Sequence, residues 1–306
     1  MLYQMYDMQR SMLRPMRLAA WGIREMAVMP FSPLTGTPLG RFMAASAEMF
    51  DRTTRRYEKP EFGLATTVVD GQTLPVTERV VAELPFCRLL HFQVDAPRRR
   101  PRVLIVAPLS GHHATLLRGT VEAMLPGHDV YITDWLDARL VPATEGRFGM
   151  DEYIDYLIGF LRVLGPNTHM MAVCQPVVPV IVATALMAED GDAATPRSMT
   201  LMGGPVDTAA APTKVTELAE SHPLSWFERR LINIVPFTQP GAGRRVYAGF
   251  LQLSGFMSLQ PERHATAHIS MFRHLVLGDG DSAEKHRQFY DEYMTSTSRQ
   301  RAVTIH

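Results

Sequence analysis

Cys174 is the residue whose type and placement could carry out covalent chemistry. The chain has two cysteines, Cys87 and Cys174. Cys174 falls between the apolar run Met170-Met171-Ala172-Val173 and the apolar stretch Val177 to Glu189. A nucleophile in a strand-to-helix turn stands exposed above a parallel sheet, as in the G-x-S-x-G elbow. Here the segment reads Ala172-Val173-Cys174-Gln175-Pro176, with Ala and Pro at the glycine positions. Ala is small enough for a tight helix–strand approach, and Pro suits the first turn of a helix, where no N–H is needed. The start of that helix would set partial positive charge beside the sulfur, where a thiolate nucleophile needs it. Spacing alone also leaves open a buried structural cysteine at the end of a core strand.

Acyl chemistry at Cys174 would require an oxyanion hole. The loop Pro108-Leu109-Ser110-Gly111-His112-His113 follows the run Val103 to Ala107, where this kind of fold supplies its second oxyanion N–H. Backbone N–H groups of Gln175 and of Ser110 or Gly111 are the candidates, and Gly111 allows close approach of the main chain. Asp207 and His306 stand in the chain order of a nucleophile–acid–base triad and are candidate substitute members. His264-Ala265-Thr266-Ala267-His268 lacks the Glu of H-E-x-x-H, and Gly278-Asp279-Gly280-Asp281 lacks the remaining ligands of a calcium loop. No Walker loop or G-x-G-x-x-G occurs. The expectation is therefore a site with no metal and no cofactor.

The elements around these residues read as an α/β domain. Val103 to Ala107, Val130 to Thr133, Met170 to Val173 and Met199 to Met202 are apolar runs of buried parallel strands. Helical stretches Ala114 to Leu125, Met150 to Leu164 and Val177 to Glu189 separate them, as right-handed crossovers require. Val76 to Leu84 and Phe86 to Val94 read as earlier strands, and Arg98-Arg99-Arg100 between Pro97 and Pro101 as a loop. Residues 1–60 read as a helical N-terminal segment broken at Pro15, 61–205 as the core, 206–293 as a helical cap region and 294–306 as a divergent tail. The 306 residues carry 46% hydrophobic side chains and equal numbers, 31 and 31, of basic and acidic ones. That balance argues against a nucleic-acid partner. Two cysteines make no disulfide scaffold and point to a reducing cytosol. Asp7, Arg10, Arg14 and Arg17 interrupt any export signal, and Gln175, Pro176 and Pro179 interrupt the one membrane-like window, Met170 to Ala188.

Several longer motifs resemble the intracellular polyhydroxyalkanoate (poly(3-hydroxybutyrate)) depolymerases. They are Met1 to Gln4, Val106 to Arg118, Tyr131 to Arg139, Val173 to Pro176, Met202 to Pro205, Gly243 to Tyr247 with Gly249 to Gln252, and Phe289 to Tyr293. The resemblance implies an α/β-hydrolase fold with a mostly parallel sheet and a helical cap insertion. It also implies Cys174 as nucleophile, stored polymer as substrate, and a cytoplasmic location on polyhydroxyalkanoate granules. Family members continue past the stretch matching Phe289 to Tyr293, into two further core strands bearing the triad acid and His. The sequence therefore predicts missing last strands, impaired hydrolysis and an open sheet edge prone to self-association. Two other readings remain. One is a non-catalytic granule-binding protein docking through the N-terminal helix with Arg10, Arg14, Arg17 and Arg24. The other is a synthase-like acyltransferase, against which Ala172 and Pro176 argue.

Overall fold

The computed structural model describes residues 2–55, 59–109, 113–210, 212–249, 251, 252, 255, 258, 261–277 and 302–304. The chain divides into two compact units, Met1–Glu58 with Leu253–Thr295, and Lys59–Gln252 with Ser296–His306.

The first unit begins with α1 (Leu2–Val28) and α2 (Pro38–Thr54). Thr37 caps α2: its hydroxyl accepts from the Gly40 N–H at 3.0 Å, and Pro38 takes the first turn. The predicted break at Pro15 does not occur, because α1 runs through it. An interior proline costs about 3 kcal/mol through its lost N–H and ring clash. Packing along α2 offsets that cost, with Ala20 and Ala27 of α1 and Ala45 and Ala47 of α2 buried.

The second unit opens with a hairpin, β1 (Thr66–Val69) and β2 (Gln72–Pro75). Asp70 and Gly71, at φ 49° and 82°, make its two-residue turn. The main sheet follows: β3 (Thr77–Leu84), β4 (Cys87–Gln93), β5 (Arg102–Val106), β6 (Asp129–Trp135), β7 (Thr168–Val173) and β8 (Ser198–Met202). Their spatial order is β3-β4-β6-β5-β7-β8, with β4 alone running against the others. This order, second strand reversed, is that of the α/β-hydrolase fold. β5 lies between β6 and β7, and Val103 to Val106 are buried on both faces.

Helices α3 (Arg118–Met124), α4 (Met150–Leu164) and α5 (Val177–Glu189) make the crossovers. A 3₁₀ turn, Ala114–Leu117, takes the first part of the predicted helix over 114–125. Ile154, Leu157, Leu161 and Leu164 of α4, and Val177, Val180, Ala183 and Met187 of α5, follow helical spacing and are buried. β8 is the edge strand, and all five of its residues are exposed.

Beyond β8 come α6 (Lys214–Ser221), α7 (Leu224–Leu231), and an antiparallel sheet of β9 (Ile232–Ile234), β10 (Arg245–Ala248) and β11 (Ala302–Thr304) in the order β11-β10-β9. The sequence predicts only helices and loops over 206–293. Strands of three and four residues carry too little alternation to register as a period. The last described helix, α8 (Pro261–Leu277), belongs to the first unit, where Phe272 meets Phe42 of α2 edge to face at 5.6 Å.

Candidate active site

Cys174 stands in the turn between β7 and α5, and it is exposed, whereas Cys87 is buried. Its backbone φ is +66°. Two other non-glycine residues in the described chain share this left-handed conformation, Asp70 and Asn167. Both carry short polar side chains that tolerate it, and a cysteine gains no such relief. The turn is held from two sides. The Cys174 N–H donates to the Met202 carbonyl at 2.7 Å, which extends the β7–β8 ladder by one residue. The Cys174 carbonyl accepts from Val177 N–H at 3.2 Å as α5 begins.

Gly204 completes the packing of this turn. A Cβ at that position would lie 2.2 Å from Val177 Cβ and 2.8 Å from the Cys174 carbonyl oxygen. Gly204 must therefore be glycine for the β8 exit to close against the base of α5. The sequence places Gly203-Gly204 at a strand end but gives no sign that they buttress the turn, because that contact joins segments far apart in the chain.

The neighbouring loop is anchored where it leaves β5. Thr133 Oγ1 of β6 accepts from Ala107 N–H at 2.9 Å, and Trp135 Nε1 donates to the Ala107 carbonyl at 2.9 Å. Both bonds are buried, and both polar groups of Ala107 are thereby satisfied past the end of the strand ladder. Trp135 is locked among Phe148, Tyr153 and Tyr156. Beside it on β6, Asp134 is buried and ion-paired with Lys59. Burial pushes the nearby Glu78 carboxyl up, Lys59 opposes that, and Asp134 and Glu61 add to it.

The remaining candidates are distributed as follows. Gln175 follows Cys174 in the turn and is exposed. Ser110, Gly111 and His112 lie outside the described residues, and His113 beyond them is buried. Asp207 is exposed, and its Oδ1 accepts from the N–H groups of Ala209 and Ala210 at 2.9 and 3.3 Å. His306, Gly278 to Asp281 and the Phe289 to Tyr293 motif also lie outside the described residues. Among the described residues no group of three His, Cys, Asp or Glu side chains could hold a metal, and no helix is long and apolar enough to cross a membrane.

Residues 203–299 match the family described as PHB de-polymerase C-terminus. That segment is similar to the C-terminal part of PHB depolymerases. The family match begins at Gly203, directly beside the Cys174 turn, and takes in Gly204 and Asp207. Among solved structures the chain is similar to brefeldin A esterase, a bacterial homologue of human hormone-sensitive lipase. Identity there is 14% and the TM-score 0.36, covering 67% of this chain and 59% of that one. It is also similar to an esterase/lipase from an uncultured bacterium, at 11% identity and a TM-score of 0.31, covering 69% and 66%. The chain thus spans less than two thirds of the length of either. No curated protein matches it.

Proposed function

We propose that the chain is a polyhydroxyalkanoate depolymerase that cleaves poly(3-hydroxybutyrate) esters with Cys174 as nucleophile. The observation that carries this reading is the exposed thiol on a left-handed backbone between a strand and a helix. Strain of this kind costs about 1–3 kcal/mol and persists where the surroundings enforce it, as Met202 and Gly204 do here. The thiolate sulfur bonds to the ester carbonyl carbon, and the carbonyl π electrons move to oxygen. Backbone N–H groups of Gln175 and of Ser110 or Gly111 hold that oxyanion. Collapse breaks the C–O bond and releases a hydroxyl chain end, which takes up a proton. Water then cleaves the thioester to a 3-hydroxybutyrate carboxyl end and regenerates the thiol.

Hydrolysis by this chain is slow in the same reading. The acid that stands in triad order, Asp207, already holds its own turn through Ala209 and Ala210. The protein acts at cytoplasmic granule surfaces, to which α1 presents exposed Met5, Met8, Met12 and Met16 at spacings of three and four. The exposed edge of β8 supports self-association.

The test is release of 3-hydroxybutyrate from amorphous polymer by the purified chain. Cys174→Ala should fall to background, and Asp207→Ala should leave the rate unchanged. Robust turnover abolished by Asp207→Ala or His306→Ala would establish a complete triad and end the impaired reading. Cys174→Ala with undiminished turnover would end the nucleophile assignment. Granule co-sedimentation with and without residues 1–30 reads the contribution of α1, and polymer made from hydroxybutyryl-CoA would instead favour the synthase.

A further inference from the structure

The amino ends of the same parallel strands carry a second feature, which the hydrolytic reading does not use. Arg98, Arg99, Arg100 and Arg102 stand within five residues of a chain with no net charge. With Asp129 and Asn167 among the other lining residues, they border an open cavity of about 680 Å³. That volume is within the range of small-molecule sites, roughly 300–1,000 Å³.

Two of the guanidiniums are fixed in place by carbonyl oxygens. Arg100 donates to the carbonyls of Leu125 and Val94, and Arg102 to the carbonyl of Leu164. Leu125 follows α3 and Leu164 ends α4, so the same bonds cap two helix ends. A carbonyl carries only partial charge, so Arg102 keeps most of its positive field for a ligand, whereas Arg100 also acts on the Asp129 carboxylate. Arg98 pairs with both carboxylate oxygens of Asp70, at 2.9 and 3.1 Å. Arg99 is exposed and makes no hydrogen bond or ion pair among the described residues. Asp129 is the one carboxylate in the lining. His91 Nε2 at 2.7 Å and the Tyr131 hydroxyl at 3.3 Å already engage it. Pro97 and Pro101 limit the freedom of the loop, which lowers the entropy lost on binding.

We propose that this cavity binds a ligand carrying two or more linked phosphates. The planar Arg99 fork matches phosphate oxygens two at a time, and the added positive field of Arg100 and Arg102 along the same border suits a chain of phosphates better than a single anion. Cys174 lies at the other end of β7, whose six residues span roughly 20 Å. A ligand here does not meet the thiol, and acts as an effector or a tether.

Isothermal titration of the purified chain with sodium tripolyphosphate tests this without reference to hydrolysis. Saturable binding is expected, weakened about tenfold by Arg99→Ala and unchanged by Arg147→Ala, which alters an arginine paired with Glu152 outside the cavity. ATP displaced by tripolyphosphate would identify a nucleotide as the source of the phosphates, and tripolyphosphate binding without ATP binding would identify a free polyphosphate. Absence of saturable tripolyphosphate binding, or equal binding by Arg99→Ala, overturns the proposal. Arg100 and Arg102 stay intact throughout, since their loss would uncap α3 and α4.

Discussion

β7 is bounded by two residues in the same backbone conformation, Asn167 at φ 63° and Cys174 at φ 66°. At the amino end the residue type explains the geometry. Asn tolerates left-handed φ, and its Oδ1 also accepts from Arg197 at 3.2 Å. At the carboxyl end it does not. Cys174 gains nothing from the conformation and is held there by the Met202 carbonyl and by the contact between Gly204 and Val177. The same dihedral is therefore turn chemistry at one end of the strand and imposed strain at the other, and imposed strain is what directs attention to the thiol.

Charge at the two ends of β7 should have opposite outcomes. Ala172 is fully buried, so Ala172→Asp costs several kcal/mol, comparable to the total stability of about 5–15 kcal/mol, and should abolish soluble expression. Asn167→Asp keeps a residue that accepts left-handed φ and should fold normally by circular dichroism. If both fold, the placement of β7 is wrong. The next largest contrast is between the two thiols. Iodoacetamide at neutral pH should label exposed Cys174 at least about 100-fold faster than buried Cys87 in folded protein, read by mass spectrometry.

Gly204→Ala should destabilise the fold by about 1–3 kcal/mol through the 2.2 Å clash with Val177, and should slow labelling of Cys174 as the turn shifts. Denaturant melts together with labelling rates would separate these two effects. Cys174→Gly should raise stability by about 1 kcal/mol by relieving the left-handed backbone, whereas Asn167→Gly should be neutral within about 0.5 kcal/mol. Equal gains at both sites would erase the distinction between them.

The smallest effect lies at the amino edge and depends on pH. Burial raises the Asp129 carboxyl, but the bond to His91, with help from Tyr131 and Arg100, brings it below its ordinary value of 3.8. A carboxyl lowered by folding stabilises the protein above that ordinary value and loses its contribution as the pH falls through the folded-state value. Asp129→Asn should therefore flatten the stability profile below about pH 4 and leave its shape near neutrality unchanged, as measured by thermal melts across acid pH.

The strands and helices that position Cys174 were legible because continuous apolar runs such as Val103 to Ala107 have few alternatives in an α/β chain. The reversed β4, which distinguishes this sheet from a simple doubly wound one, left no mark on composition, since direction is set by pairing with β6. The motif showed a strand-to-helix turn at Cys174. It did not show the left-handed backbone, because the forces that impose it come from Met202 and Gly204, roughly thirty residues away in the chain. α1 was misread at Pro15 for a similar reason: local propensity argues for a break, and tertiary contact with α2 overrides it.

Trp135 gives the sheet an optical signature of its own. Its indole is 2% exposed and hydrogen-bonded to Ala107, whereas Trp21 is 62% exposed and Trp226 is partly exposed. Emission from the chain should contain a short-wavelength component that acrylamide quenches poorly, alongside a longer-wavelength component that it quenches readily. Only the first arises where β5 and β6 end, so its wavelength follows the integrity of the exit from β5 while the rest of the molecule can change unseen.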